Sequence, residues 1–525
     1  MKSVLRGLAA GALALLLGTA SASANMVYLR GANGDPQSLD PHKTSTVEEA
    51  NILRDLFTGL VAQDQDANLI PGAAESWDVS ADGKTYTFHL RKDAVWSDGS
   101  PVTADDFVFS WRRVLDPATG SEYASMAYPL LNGEELNGGK AKPEDLGVKA
   151  IDKYTLEATL KGPTPYFLEM LTHQAMYAVN PENVKKFGDD FVKPGNLVSN
   201  GAFTLKSFTP NDRIILVKNP KFYDAANVKL DEVDYITAED RGAAMKRFEA
   251  GELHSNNDLP TEQLADLKAK FGDQVHITPQ LGTYYYIFKT QKAPWNDAKL
   301  RNAISMVIDR DYLAEKVWQN AMLPAYGLVP PGVKGYEART MDYASMSQID
   351  REDAAKKIFT ELGISPEKPI KAELRYNTSE NHKNTAVAIQ EMLKPFGIEL
   401  TLVNTDGKTH YSYLEQRGDF DIARAGWVAD YKDPVTFLNL AKTGDGNNYG
   451  DYSNKDYDAL IDKAAVEADP AKRMAGLSEA EGIMLKDIGV LPLLFYSNHN
   501  IVSSKVKGFS ENVMDAHPSR FITIE

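Results

Sequence analysis

Residues 370–403 read strand, helix, strand, and this unit constrains the fold more than any other segment of the chain. Residues 370–376 and 398–403 have the length and composition of strands, and 384–393 between them reads as a helix. Together they make the βαβ signature of an α/β domain. The rest of the chain alternates in the same way, with no low-complexity linker. Residues 85–91 switch between polar and apolar side chains as a half-buried strand does. Ser97, Asp98 and Gly99 make a turn, and Thr103 then caps a helix on which Asp106, Phe107 and Trp111 share a side. Further helices are expected over 239–250, stopped by Gly251, and over 354–362, closed by Gly363. Residues 297–309 place Leu300, Ala303, Ile304 and Val307 on one stripe. The chain shows no repeat of about 20–50 residues, which argues against a solenoid or a propeller. Its 525 residues imply two or three domains.

The first 24 residues have the order of a cleavable export signal. Lys2 and Arg6 come first, then a Leu-, Ala- and Gly-rich run over 8–17, then Ala22-Ser23-Ala24 as a cleavage site. The apolar run is shorter than the roughly 20 residues needed to span a bilayer, and no later stretch is long and apolar enough. The expected product is therefore exported and not membrane-embedded. Its formal charge of −16 becomes −18 once Lys2 and Arg6 are gone, which argues against nucleic acid as a partner. The chain has no cysteine, so a lipid-anchor cysteine, disulfides, thiolate metal sites and a cysteine nucleophile are excluded. No cofactor and no metal site is expected. A free, diffusing periplasmic protein is the expectation these features support, and a monomer is expected.

Several stretches resemble one family. They include Gln37-Ser38-Leu39-Asp40-Pro41-His42, Arg54-Asp55-Leu56-Phe57, Ala74-Glu75-Ser76-Trp77 and the run over 88–99. The likeness continues over 198–206, 283–286 and 322–327, and is most specific over 420–431 with Pro434, Phe437, Leu438 and Asn439. These segments resemble solute-binding protein family 5, the binding proteins that serve oligopeptide, dipeptide and nickel importers. The 420–431 segment is similar to the peptide-contacting loop of the oligopeptide-binding members. The resemblance implies an α/β, two-lobed periplasmic-binding-protein fold with an additional inserted domain, closing by hinge motion. Transferred onto this chain, residues 25–57, 183–281 and 498–525 form the first lobe, 58–182 the inserted domain, and 282–497 the second lobe. The apolar run 490–496 is expected to return as a strand, leaving both termini in one lobe.

A binder of peptides of varied sequence must grip what is constant in them: an ammonium, a carboxylate and backbone amides. An acid pairs with the ammonium, and an open strand edge pairs with the backbone. The resemblance assigns the ammonium to Asp430, which by itself reads as a solvated turn residue. It gives the peptide backbone to Ala425, Gly426 and Val428, where Gly426 allows close approach. Trp427 resembles a residue that walls a side-chain pocket. Arg424 and His382 match positions that meet ligand carboxylates, His382 from a strand-to-helix loop; arginine suits this task by its planar pair of donors. Val47, Tyr123, Asn256 and Asn257 match other cleft-lining positions, and Tyr285 is either a cleft or a core residue.

Three departures from the oligopeptide-binding pattern stand out. Trp318 replaces a carboxylate-binding lysine, Gly407 a pocket tryptophan, and Ser45 an early contact acid. They suggest a narrower range of peptide lengths, or a peptide-like ligand. The functional expectation is capture of short peptides for the permease of an ABC importer. The alternatives are a binder of an opine, a modified peptide or a nickel complex, and, more distantly, a periplasmic hydrolase. The chain contains no G-x-S-x-G elbow, no H-E-x-x-H motif and no P-loop, and no catalytic residue is expected.

Overall fold

The computed structural model describes residues 25–525 except 45, 239, 258, 261 and 262. The export-signal reading and Ser45 therefore lie outside the described residues. Eleven of the described strands form one sheet. From one edge it runs Ile398–Thr405, Ile370–Asn377, Ile422–Val428, Val275–Phe288 and Leu491–Val502. It continues through Ser255–Asn256, Val27–Ala32, Glu232–Thr237 and Arg213–Lys218 to Phe203–Thr209. Met322–Pro324 pairs with Leu491–Val502 off this path.

The two longest strands hold this assembly together. Val275–Phe288 and Leu491–Val502 run antiparallel, and their register slips between Pro279 and Thr283. On one side of the slip Val275 opposes Ile501, and on the other Tyr286 opposes Leu491. The apolar cores divide at the same place. Tyr28, Leu53, Phe203 and Tyr235 belong to one core, Leu281, Tyr285, Leu374 and Leu494 to another. The fold is thus α/β and two-lobed, with two strands crossing from lobe to lobe. Residues 74–159 supply a separate four-stranded sheet, Ala74–Val79, Thr85–Leu90, Thr155–Thr159 and Val148–Asp152. Its core is continuous with that of the first lobe through Phe57, Trp111 and Phe203.

Local chemistry explains the element boundaries. The Ala104–Leu115 helix begins where the Asp106 carboxylate accepts from the Thr103 N–H at 2.9 Å and from Trp96 Nε1 at 3.0 Å. Phe107 and Trp111 then meet edge-on one turn apart. The Ile370–Asn377 and Ile398–Thr405 strands pair in parallel around the Glu380–Leu393 helix, as the βαβ reading requires. Two helices start earlier than their apolar patterns suggest. Gln348–Glu361 begins behind Ser347, whose side chain accepts from the Asp350 N–H. Glu380–Leu393 begins after extended Ser379, so His382 lies in the first turn of a helix and not in a loop. The late strand is longer than its apolar stretch and reaches Val502. Among the described residues no helix is long and apolar enough to cross a membrane.

Candidate functional site

Ile422–Val428 organises the second lobe's face of the cleft. One edge pairs with Val275–Phe288 along its whole length, from Phe288 opposite Ile422 to Gly282 opposite Val428. The other edge pairs with Ile370–Asn377 only at Ile422 and Ala423. Past Ala423 that parallel pairing ends; the Arg424 carbonyl accepts from His410 Nε2 at 2.8 Å, and from Ala425 to Val428 the strand has an edge available for another extended chain. Paired residues share a face, so Arg424 and Gly426 lie with Tyr286 and Tyr284, while Ala425 and Trp427 lie with Tyr285 and Thr283.

Arg424 is 5 % exposed. Its Nη1 donates to Asn377 Oδ1 and to the Tyr411 hydroxyl, each at 2.9 Å, and its Nη2 to the Tyr496 hydroxyl at 2.8 Å. The guanidinium sits 4.7 Å above the Tyr284 ring. Burial opposes its charge, but the surrounding tyrosines more than offset this and hold its pKa above the ordinary value. Among the described residues no carboxylate pairs with it, and its buried Nε has no hydrogen-bond partner. Gly426 makes room for this arrangement. A Cβ there would lie 2.6 Å from the Tyr496 hydroxyl and 2.8 Å from Arg424 Nη2.

His382 faces the same cluster, its ring 5.4 Å from that of Tyr284 and 6.2 Å from that of Trp318. Burial, helped by the charges of Arg424 and His410, pushes its pKa down to about 3, so the imidazole is neutral at ordinary pH. Trp318 meets Tyr284 edge-on at 5.6 Å and donates Nε1 to Thr385 Oγ1 at 3.0 Å. An aromatic wall thus stands beside the buried arginine.

Asp430 lies just beyond the strand's other end and is half-buried. Burial pushes its pKa up to about 6 against the hydrogen bond from the Tyr123 hydroxyl, which favours the ionised form. Burial, together with the Asp430 charge, raises Tyr123 to about 12. Asp430 opens into a cavity of about 380 Å³, walled by Trp427, Tyr166 and Tyr431. Tyr166 and Tyr431 stack with their planes 4° apart, joining residue 166 to the second lobe's loop. The Trp427 ring is fixed by its Nε1 donating to Thr436 Oγ1 at 2.9 Å.

The structure therefore gathers the expected residues into three groups. Asp430 and Trp427 line one cavity, with Tyr123 hydrogen-bonded to Asp430, and Arg424 and His382 share one aromatic cluster. In the first lobe, Asn257 Oδ1 accepts from Asn33, which also donates to Glu48, beside Val47. Val47 is 51 % exposed, whereas Asn256 is buried, and a Cβ on Gly31 would lie 2.1 Å from its Oδ1. Val428 is exposed and Ala425 buried. Tyr285 is 1 % exposed and packs in the second core, on the face away from Arg424. The Arg424 cradle of Asn377, Tyr411 and Tyr496 was not singled out from the sequence. Its members come from three elements far apart in the chain, and only the Tyr284–Tyr286 run hinted at an aromatic setting.

Comparison with known proteins places this architecture. The family model for bacterial extracellular solute-binding proteins, family 5, matches residues 68–449. The chain belongs to that family. Among family 5 relatives, the periplasmic oligopeptide-binding protein OppA of Escherichia coli (strain K12) is 41 % identical over 486 residues, 92 % of this chain and 89 % of the relative. The murein tripeptide-binding protein MppA in its unliganded open form superposes with a TM-score of 0.87 at 36 % identity, covering 96 % of this chain and 98 % of that one. Haemophilus influenzae OppA in complex with RPPGFSPFR gives 0.76, also at 36 % identity, covering 95 % and 99 %.

Proposed function

We propose that this family 5 protein captures short peptides between its lobes in the periplasm and delivers them to the permease of an ABC importer. The observation that carries this reading is the chemistry at the two ends of one strand. A half-buried acid, Asp430, stands beyond one end, and a buried arginine without a carboxylate partner stands near the other. Between them runs backbone with an open edge. An extended peptide fits this arrangement as an added strand, its ammonium at Asp430 and Tyr123 and a carboxylate at Arg424, with neutral His382 offering a further hydrogen bond. Ala425, Gly426 and Val428 supply backbone groups, and Trp427 walls a side-chain pocket. Val47, Asn256 and Asn257 complete the cleft from the first lobe. The names of OppA and MppA, as peptide-binding proteins, support the same reading.

The lobes in this reading are 25–57 with 183–281 and 498–525, and 282–497, with 58–182 as the inserted domain. The register slip between Pro279 and Thr283 supports a hinge at that boundary. The better superposition on an unliganded open form than on a peptide complex, at equal identity, supports an open resting state. The protein acts as a monomer and binds its cargo without cleaving it. Trp318, standing where relatives of the oligopeptide type have a lysine, narrows the accepted peptide lengths.

Calorimetry with an unmodified tripeptide, its N-acetyl form and its C-terminal amide tests the proposal. Both modifications are expected to weaken binding at least tenfold, the acetyl group because it removes the cation that Asp430 pairs with. Equal affinity for all three peptides would sink the assignment of both ends. A series from two to six residues should peak sharply; a flat series would remove the role given to Trp318. Mass spectrometry of the peptides after incubation checks that none is cleaved.

A further inference from the structure

Arg54, in the Arg54-Asp55-Leu56-Phe57 stretch, has no place in the peptide site. It projects from the Val47–Leu56 helix toward a cavity of about 30 Å³ that it lines together with Arg520, Thr58, Gln63, Thr172 and Tyr177. No acidic side chain lines this cavity. Arg54 donates to Asn51 Oδ1 at 3.2 Å, and Arg520 to the Tyr223 hydroxyl at 3.4 Å. Arg520 also lies against the rings of Phe521 and Phe222, at 4.6 and 5.9 Å. Among the described residues neither guanidinium makes a salt bridge.

The nearby carboxylates are held elsewhere. Asp55 accepts from the Tyr235 hydroxyl and the Ser519 N–H, both at 2.8 Å. Asp515 is paired with His517 at 2.9 Å and accepts from Asn500 at 2.7 Å. The neighbouring imidazole is neutral and adds no further positive charge. Burial, with the Arg54 charge, pushes His173 down to about 3. Both arginines also act on the Tyr177 hydroxyl, whose proton is given to the Thr172 carbonyl at 2.9 Å. Two like charges thus border one small polar cavity, and their repulsion is relieved by an anion between them.

We propose that Arg54 and Arg520 bind a chloride ion in this cavity. About 30 Å³ suits one small monatomic anion and leaves little room for a phosphate or sulfate group. The Tyr177 and Thr172 hydroxyl protons are given to the Thr172 and Glu169 carbonyls, which leaves the Thr58 hydroxyl and the Gln63 amide as the neutral donors for a halide, beside two guanidinium forks. Its position gives the ion a structural role. Arg54 comes from the first lobe, Gln63, Thr172 and Tyr177 from residues 58–182, and Arg520 from the C-terminal segment. One bound anion ties all three together, far in sequence from the loop that carries Asp430.

The test is the unfolding midpoint of the peptide-free protein as sodium chloride replaces sodium gluconate at constant ionic strength. The midpoint is expected to rise with chloride and saturate, by on the order of 2 °C. Arg520→Met is expected to flatten this response, and Arg54→Met likewise if it folds; comparison of variant with wild type removes general salt effects. In crystals soaked in bromide, an anomalous peak is expected between the two guanidinium groups. Equal midpoints in both salts, a chloride response undiminished in Arg520→Met, or a bromide soak without that peak would each overturn the proposal. Peptide affinity plays no part in the readout, so the result stands apart from the proposed transport role.

Discussion

The two ends of the Ile422–Val428 strand present opposite solutions to holding a charge. At Arg424 the charge is buried and held in place by three neutral oxygen acceptors and a ring face, while its Nε has no hydrogen-bond partner. At Asp430 the charge is half-buried and held by a single tyrosine hydroxyl, and its pKa is pushed up to about 6. Arginine cannot lose its proton at any accessible pH, so its site is prepared in advance. A carboxyl group can, so the Asp430 end is adjustable by pH and by an arriving cation. The first end fixes position, and the second end responds.

The largest expected effect breaks the responsive end. Asp430→Ala should weaken peptide binding by about 2–5 kcal/mol, because the ligand's ammonium is then left buried without a partner. Calorimetry at pH 7.5 reads this directly, and unchanged affinity would remove Asp430 from the site. Next comes the prepared end. Gly426→Ala forces a Cβ against the Tyr496 hydroxyl and Arg424, which should cost about 1–3 kcal/mol in stability and disturb the guanidinium. Equal denaturation midpoints for variant and parent would show that the cradle yields freely.

Acid sharpens the comparison. Binding needs ionised Asp430, whose pKa in the free protein is about 6, so affinity should be level above pH 7 and fall about tenfold by pH 5. The same acid profile in Asp430→Asn would assign the fall to another group. A smaller effect has the opposite sign. The raised pKa means that Asp430 favours the folded state while protonated, fully below its unfolded value near 4, and that this contribution is lost as pH rises through about 6. Asp430→Asn should therefore be more stable than the parent at pH 7.5, by on the order of 1 kcal/mol after allowance for solvent screening, while binding peptide poorly. The smallest effect is expected from Trp318→Lys, which places a cation beside the Tyr284 cluster. It should raise affinity for some peptide lengths by about threefold, read as a shift of the optimum in a length series.

Much of the fold was readable because short-range rules govern it. The βαβ unit at 370–403, the turn at Gly99 and the cap at Thr103 follow from local patterns, and all appear in place. The misplaced helix starts near residues 347 and 379 are also local in origin. There, capping and extended residues extend a helix beyond its apolar stripe, and His382 moved from loop to helix as a result. The site was legible only in part. Asp430 and Trp427 were found through the likeness of the 420–431 segment to a family loop, not through any property of their spacing.

Composition and local pattern by themselves determined an α/β chain without thiol chemistry and its βαβ unit at 370–403. Tertiary structure alone decided what surrounds Arg424. Asn377, Tyr411 and Tyr496 converge on it from three elements because strands distant in sequence are neighbours in one sheet. It also decided that Tyr285 turns into the core while Tyr284 and Tyr286 share the arginine's face, since the pairing register, which no single segment contains, sets the face of every side chain.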